Sequence, residues 1–411
     1  MRLAALALLA LLPACVSTPP EGRLTARSEP PAPGPDSGAP PIEPEPPPPD
    51  LGDYEALFDV SVLQEIRLTL TPEDIGLLDE DGSVWVPAGF EHDGNLIEVA
   101  VHLKGTTTYQ DFSGKPAFRV KFNERVPGQE YAGLKRLALN NMLTDPAQGR
   151  EVIAWQAWGA GGMPVPRATL ATVHVNEEYF GLYAAIEGMD GEYLERRYTD
   201  PTGDLWAAND HADLTPEGIL AFDLNSGASL REDDLRGVDR SSLQRASDAL
   251  GEWSADLLTP AATVVDMDQY LDFQAWTMVT GWVDGYPYHY NDYFVYADPA
   301  DGGRLDFTPW GLDEAWSDEW TFGYGNGVLG WRCAQDPACG EALQTHIAAV
   351  LLDYEAIGVG AIAAQVFALS DAAAAEDPRK PFAADAVRAA RGRLVDQVTS
   401  WPDRVRSATG R

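Results

Sequence analysis

Apolar and polar residues alternate along much of residues 51–190. Glu65-Ile66-Arg67-Leu68-Thr69-Leu70 places Ile66, Leu68 and Leu70 on one face, the period of a half-buried strand. Ile97, Val99, Val101 and Leu103 repeat it over 96–103. The same reading predicts strands at 118–122, 134–139, 170–175 and 179–187, the last two joined by a turn at Asn176-Glu177-Glu178. Thr71-Pro72-Glu73-Asp74 predicts a helix start, with a threonine cap, proline in the first turn and acids near the positive end of the dipole. Asp145-Pro146 predicts a second helix, capped there and running to about Gly159.

Past residue 190 the period becomes helical. Met267 to Val283 reads as a buried helix ending at the turn Asp284-Gly285. Apolar residues recur at helical spacing over 341–352, 357–369 and 383–401, where Val387, Leu394 and Val398 share a face. Between these, Tyr293 to Tyr296 and Leu305 to Trp310 read as an antiparallel hairpin around the loop 298–303. No period of 20–50 residues repeats, which excludes a solenoid. The expected class is α+β: a strand-rich part over 51–190, then a mainly helical part over 191–411 that carries the hairpin.

The first 50 residues follow neither period. Arg2 precedes an unbroken Leu/Ala run, Leu3 to Leu12, too short to span a bilayer and suited to the apolar region of a signal peptide. Ala14-Cys15 at its end resembles a bacterial lipobox, whose cysteine is lipidated. Residues 1–15 are therefore expected to direct export, with Cys15 as the lipid anchor; plain secretion is the alternative. No other apolar stretch reads as long enough to cross a membrane. Ser17 to Asp50 holds 13 prolines in 34 residues, so 16–50 is expected to be a disordered tether. Residues 51–411 remain as the folding part.

Composition narrows the function. Lys plus Arg total 29 against 64 Asp plus Glu, a net charge of −35. That repels nucleic acid and anionic membrane surfaces, so the only membrane association expected is through the lipid anchor. Six histidines show no metal-ligand spacing, and no Gly-x-Ser-x-Gly elbow occurs. Asp79-Glu80-Asp81-Gly82 lacks the downstream acid of a calcium loop and reads as a turn. Of three cysteines, Cys333 and Cys339 are expected to close a small disulfide loop after export. Trp316 to Trp331 is aromatic and Gly-rich, and reads as a packed loop rather than a substrate-facing one.

Several blocks then occur in a telling order: His102-Leu103-Lys104-Gly105-Thr106, Lys115-Pro116-Ala117-Phe118-Arg119-Val120-Lys121-Phe122, Gly133 to Asn141, Asp145-Pro146, Arg150-Glu151, Pro164 to Ala168, Gly181-Leu182-Tyr183 and Glu187. Asn291 to Tyr296 and Phe307 to Asp313 continue the series. Over roughly 63–316 the chain resembles the spore coat protein H (CotH) kinase family. The resemblance implies an atypical two-lobed protein-kinase-like fold with a C-terminal helical region. It also implies transfer of the ATP γ-phosphoryl group to Ser/Thr of secreted or surface proteins, with ATP and Mg²⁺ or Mn²⁺ as cofactors. Two positions depart from the family pattern: Gly311 stands where the family carries Asp, and Asp292 where it carries Asn. One acid is lost and one gained. The exchange is either compensation or the mark of a non-catalytic member, a surface binding protein or adhesin.

Phosphoryl transfer needs a cation on the phosphates, acidic ligands for a divalent metal, and a carboxylate that orients the attacking hydroxyl. Lys121, on a strand, is the first candidate cation, with Lys115 and Lys104 as rivals and Arg119 on the Lys121 face by period two. Glu151, early in its helix, or Glu187 is the candidate partner of that lysine. The hairpin brings the residues before its first strand close to those after its second, so Asn291, Asp292 and Asp313 are the candidate metal ligands. Asp284, at a loop mouth, is the candidate base. His289 is read as a loop histidine.

Overall fold

The period-two stretches close on themselves. A computed structural model of the chain describes residues 50–226, 239–251, 254–286 and 288–410. Cys15, the expected signal and nearly all of the expected tether lie outside the described residues. Seven strands, β1 (Gln64–Thr69), β2 (Val86–His92), β3 (Asn95–Lys104), β4 (Ala117–Lys121), β5 (Arg136–Asn140), β6 (Ala168–Val175) and β7 (Glu178–Glu187), form a closed barrel in the order β1-β2-β3-β4-β5-β7-β6. Neighbours are antiparallel except β6 and β1, which pair in parallel and shut the ring. Closure removes the free edges that an open sheet leaves. Ile66, Leu68, Val99, Val101, Phe118, Val120, Leu137 and Leu139 fill its inside. β2 was not predicted, because its outward positions are Pro87 and Gly89, residues that read as turn formers.

The outward face of β3, β4 and β5 is basic. His102 lies opposite Arg119, and Lys121 opposite Arg136. Positions two apart on a strand share a face, so Lys104 joins His102, and Arg119 joins Lys121, on the outside. This strip of positive charge sits on a chain of net charge −35.

The second predicted helix begins later than its sequence signal. Asp145 heads a turn: Oδ1 accepts from Ala147 N at 2.9 Å, and Oδ2 from Gly149 N at 2.7 Å and Arg150 N at 2.8 Å. The helix then runs Arg150–Ala160. The delay arises because Gln148 takes a positive φ of 53°, outside the helical region.

Beyond the barrel, β8 (Leu205–Ala208), β9 (Phe222–Ser226), β10 (Tyr293–Asp298) and β11 (Arg304–Pro309) form an antiparallel sheet in the order β11-β10-β8-β9. The expected hairpin is thus extended by two strands that the sequence reading did not include. The 267–283 helix stops at Val279, and the tail helices are Pro337–Ile357, Val359–Glu376 and Ala384–Thr409. A second core, separate from the barrel's, packs Trp155, Trp158, Trp276, Trp282, Phe307 and Val398. Cys333 and Cys339 are joined by a disulfide. The Val359–Glu376 helix has the length and hydropathy, 1.2 over its 18 residues, of a membrane span, which corrects the expectation that no such stretch follows the first. It packs against the 150–160 helix, β7 and the 384–409 helix, and buries Val366, Phe367 and Ala374 there.

The end of that helix is locked to the barrel by charge. Lys115 Nζ and Asp377 Oδ2 are 2.7 Å apart with both side chains fully buried. Lys115 also donates to Leu182 O at 2.8 Å, and Leu182 N donates to Asp377 at 3.0 Å. Gly181, at φ +128°, makes room, since a Cβ there would lie 2.4 Å from the Asp377 carboxylate. Removing one partner strands the other charge in the interior. Asp377→Ala is expected to cost about 3–5 kcal/mol in urea denaturation, most of it recovered in Lys115→Met/Asp377→Leu.

Candidate functional site

Part of the basic face of the barrel, Lys104 and Arg119, borders a cavity. This is a cleft of about 670 Å³ whose opposite wall carries Asp284, Asn291, Asp292, Gly311 and Asp313. Lys104, at the end of β3, reaches the cleft and donates to Asn140 Oδ1. Asn140 Nδ2 in turn donates to both oxygens of Glu151, at 3.0 and 2.9 Å. The strand lysine and the helix acid are therefore joined through an amide rather than in direct contact. Trp155 Nε1 adds a longer bond to Glu151 at 3.4 Å. Burial lowers the Lys104 pKa to about 8, with Glu151 pulling it back up. Burial raises that of Glu151, opposed by Asn140 and Lys104.

The acids opposite come from the hairpin, as the strand register dictates. Tyr293 pairs with Pro309, and Trp310 N donates to Asp292 O at 2.7 Å. Asp292 and Gly311 both take left-handed backbone, at φ 53° and 60°. A Cβ on Gly311 would lie 3.1 Å from Asp292 Oδ2. The Asp292 carboxylate thus occupies the space into which a side chain at 311 would project. Trp282 Nε1 holds Gly311 O at 3.1 Å. Asp313 follows on the turn Leu312–Glu314, which packs against the 150–160 helix and comes within 3.5 Å of Thr144 Oγ1. Asn291 Oδ1 is buried and has no hydrogen-bond partner among the described residues. Asp284 is partly exposed, with His289 Nδ1 at 3.7 Å. Burial, then the charges of Asp284 and Asp313, raise the Asp292 pKa to about 8; burial, then Glu151, raise that of Asp313 to about 7.

Of the sequence candidates, Glu151, Asp284, Asn291, Asp292 and Asp313 come together. Lys121 does not join them. It lines a neighbouring pocket of about 290 Å³ with Trp85, Arg136, Met189, Phe294 and Trp310, and pairs with Glu124. Arg119 and Trp310 border both cavities. Lys115 is spent on Asp377, away from the cleft, and Glu187 on Arg196 and the Arg167 amide. Asn140 was read only as part of a sequence block. Its signal was position, at the end of a strand and eleven residues before the acid it holds. His92 is a core histidine, bonded to Tyr131 and Gln64. Among the described residues, no group of three or more His, Cys, Asp or Glu side chains is placed to hold a metal ion by itself.

A family model described as CotH kinase protein matches residues 101–352, more than half of the chain and every cleft residue named above. The chain belongs to the CotH kinase family. Family resemblance extends to inner spore coat protein H of Bacillus subtilis (strain 168), 22% identical over 297 residues, 70% of this chain and 76% of that protein. Among solved structures, the HipA–HipB–operator DNA complex of Shewanella oneidensis MR-1 aligns with 84% of this chain and 74% of its own, at 13% identity and TM-score 0.39. The Helicobacter pylori proinflammatory kinase CtkA aligns with 88% and 95%, at 10% identity and TM-score 0.30.

The crowded acids have a consequence for stability. Asp292 and Asp313 titrate above the ordinary aspartate value of 3.8, so the fold holds protons that the unfolded chain releases. The stability they contribute is complete below about pH 4 and is lost as pH rises through 7 to 8. Asp292→Asn removes part of that loss. The melting temperature of this variant relative to the unsubstituted protein is expected to rise steadily from pH 5 to pH 8 in metal-free buffer.

Proposed function

We propose that the chain is a protein kinase that transfers the γ-phosphoryl group of ATP to Ser/Thr hydroxyls of secreted or surface proteins, held to the membrane by lipid on Cys15. The observation that carries the transferase reading is the Lys104–Asn140–Glu151 chain facing Asn291, Asp292 and Asp313 across one cleft. Phosphoryl transfer is mainly positioning and charge neutralisation, and these are the groups it needs. The export and anchoring part rests on the sequence of residues 1–15.

Lys104 would hold the phosphates, its orientation set by Asn140 and its charge favoured by Glu151. Asp292, Asp313 and the unpartnered Asn291 Oδ1 would hold Mg²⁺ or Mn²⁺. These are hard oxygen donors, and Mg²⁺ asks for only one or two carboxylates alongside water and phosphate. When bound, the cation supplies neutralisation of charge on the transferred group. Asp284, open to solvent, would orient the acceptor hydroxyl. The adjoining pocket, between β4–β5 and the Gly188-Met189 crossing, offers Trp85, Phe294 and Trp310 to a base. In this reading the barrel is one lobe of a kinase-like fold and the remainder the other.

The exchange at 292 and 311 then reads as compensation. Either position delivers a carboxylate to the same space, so the acid has moved along the hairpin without leaving the site.

The test is incubation of the purified protein with Mg²⁺ or Mn²⁺ and ATP labelled at the γ or α phosphate. Transfer of the γ label is expected; transfer of the α label would make it a nucleotidyltransferase. No transfer and no nucleotide binding would make it a binding protein. Lys104→Ala is expected to lower kcat/KM by about 100-fold or more, and Lys121→Ala by less than about 5-fold. Asp292→Asn should lose transfer, and Asp292→Asn/Gly311→Asp should regain a measurable part of it. Equal loss in both would sink the compensation reading.

A further inference from the structure

The family match ends at residue 352, yet the chain beyond it reaches back to three segments that adjoin residues lining the cleft. The first is the loop 105–116, whose residues Gly105 to Thr108 line the cleft while its later residues meet the tail. Arg379 donates to Phe112 O at 2.9 Å and to Gly114 O at 2.5 Å. Its guanidinium lies 3.8 Å from the centre of the Phe180 ring and is paired with Glu178 at 2.8 Å. The second is the turn before the helix that carries Glu151, between the cleft-lining Thr144 and Glu151. Buried Arg391 donates to Ala147 O at 3.0 Å and Gln148 O at 3.3 Å, and is steadied by Ser370 Oγ at 3.1 Å. The third is the segment after Asp313, where Gln397 donates to Trp316 O at 2.8 Å and Arg404 to Trp320 O at 2.8 Å.

The three grips share one chemistry. Each takes backbone carbonyls in a turn or loop, where the chain has no ladder partner to satisfy them. Each binds next to a cleft group: the Lys104 loop, Glu151, and Asp313. A tail that merely completed a hydrophobic core would need none of these forks, since its apolar face is already buried at Val387, Leu394 and Val398.

We propose that residues 377–404 form a clamp on the cleft, with Arg379, Arg391 and Gln397 as positioning residues for Lys104, Glu151 and Asp313. The functional unit therefore extends past the family match to the C-terminal helices. What the clamp positions rests on the kinase reading; that it holds these three segments does not.

The test uses the full chain and two readouts. In hydrogen exchange, Arg379→Ala is expected to raise exchange over 105–116, and Gln397→Ala over 314–320, each locally and at least about 5-fold, as loss of one anchor frees one segment. In transfer assays Arg379→Ala is expected to raise KM for ATP by about 5-fold, with kcat within about 2-fold. Arg379 holds the two carbonyls with Nη1 and Glu178 with Nη2, and the single nitrogen of Arg379→Lys cannot reach both sets in that geometry, so it should recover only part. Arg406→Ala, on the tail helix but paired with Glu355 of the 337–357 helix and outside the three grips, should alter neither readout. Unchanged exchange over 105–116 in Arg379→Ala, or a spread of faster exchange over the whole domain, overturns the clamp. If the unsubstituted protein transfers nothing, the kinase reading fails, and the exchange experiment still decides the clamp.

Discussion

Everything in the cleft depends on opposite charges held apart. The barrel presents Lys104 and Arg119; the loop before the hairpin presents Asp284, and the hairpin and its following turn present Asp292 and Asp313. Lys104 is spaced from Glu151 by the amide of Asn140, which donates to the acid with one end and accepts from the lysine with the other. A direct ion pair would have neutralised both and closed the gap. The amide keeps the ammonium turned toward the cavity while fixing its distance from the helix. Burial and neighbouring carboxylates instead push Asp292 and Asp313 above the ordinary aspartate range, which favours a proton or a cation beside them.

The surrounding architecture serves that separation. A closed barrel has no edge along which β3 or β4 can slip, so the end of β3 delivers Lys104 at a set height. The hairpin register places Asp292 beside Gly311 with no freedom to drift. Two hydrophobic cores back the two walls, one inside the barrel and one among the tryptophans, which also takes in Leu170, Leu182 and Ile186 from the outside of the barrel strands. Polar contacts add direction to that packing: Arg150 to the 315–316 carbonyls, Asp377 to Lys115, and the arginines of the tail to loop carbonyls. Hydrogen bonds to carbonyls fix direction as well as distance, and orientation is what the proposed reaction asks of its scaffold.

Much of this was legible in advance. Alternation located six of the seven barrel strands to within a residue or two, and the seventh was hidden by Pro87 and Gly89 on its outward side. Hairpin geometry alone brought Asn291, Asp292 and Asp313 to one place. The lysine was harder. Lys104, Lys115 and Lys121 all lie in or beside strands in the same sequence block, and a one-dimensional pattern cannot say which strand end opens on a cavity. Lys121 faces outward as period two requires, yet lands at the neighbouring pocket. Lys115 sits two residues before its strand and is captured by an acid that follows it by 262 positions, a contact no local signal reports.

The sequence by itself determined the class and the inventory. Period two wrote the barrel, period 3.6 wrote the tail, and the ordered blocks indicated a kinase family whose chemistry needs these residue types. These follow from local propensity and burial, which each segment carries in its own pattern. Only the tertiary structure decided which charges meet. Whether Glu187 faces Arg196 or a cleft, how near the Asp292 carboxylate lies to Gly311, and whether the tail stands apart or reaches across to Phe112 and Gly114 are matters of long-range geometry. Coulomb and hydrogen-bond energies act over a few ångströms in space, regardless of separation along the chain, so they are settled only once the chain has closed on itself.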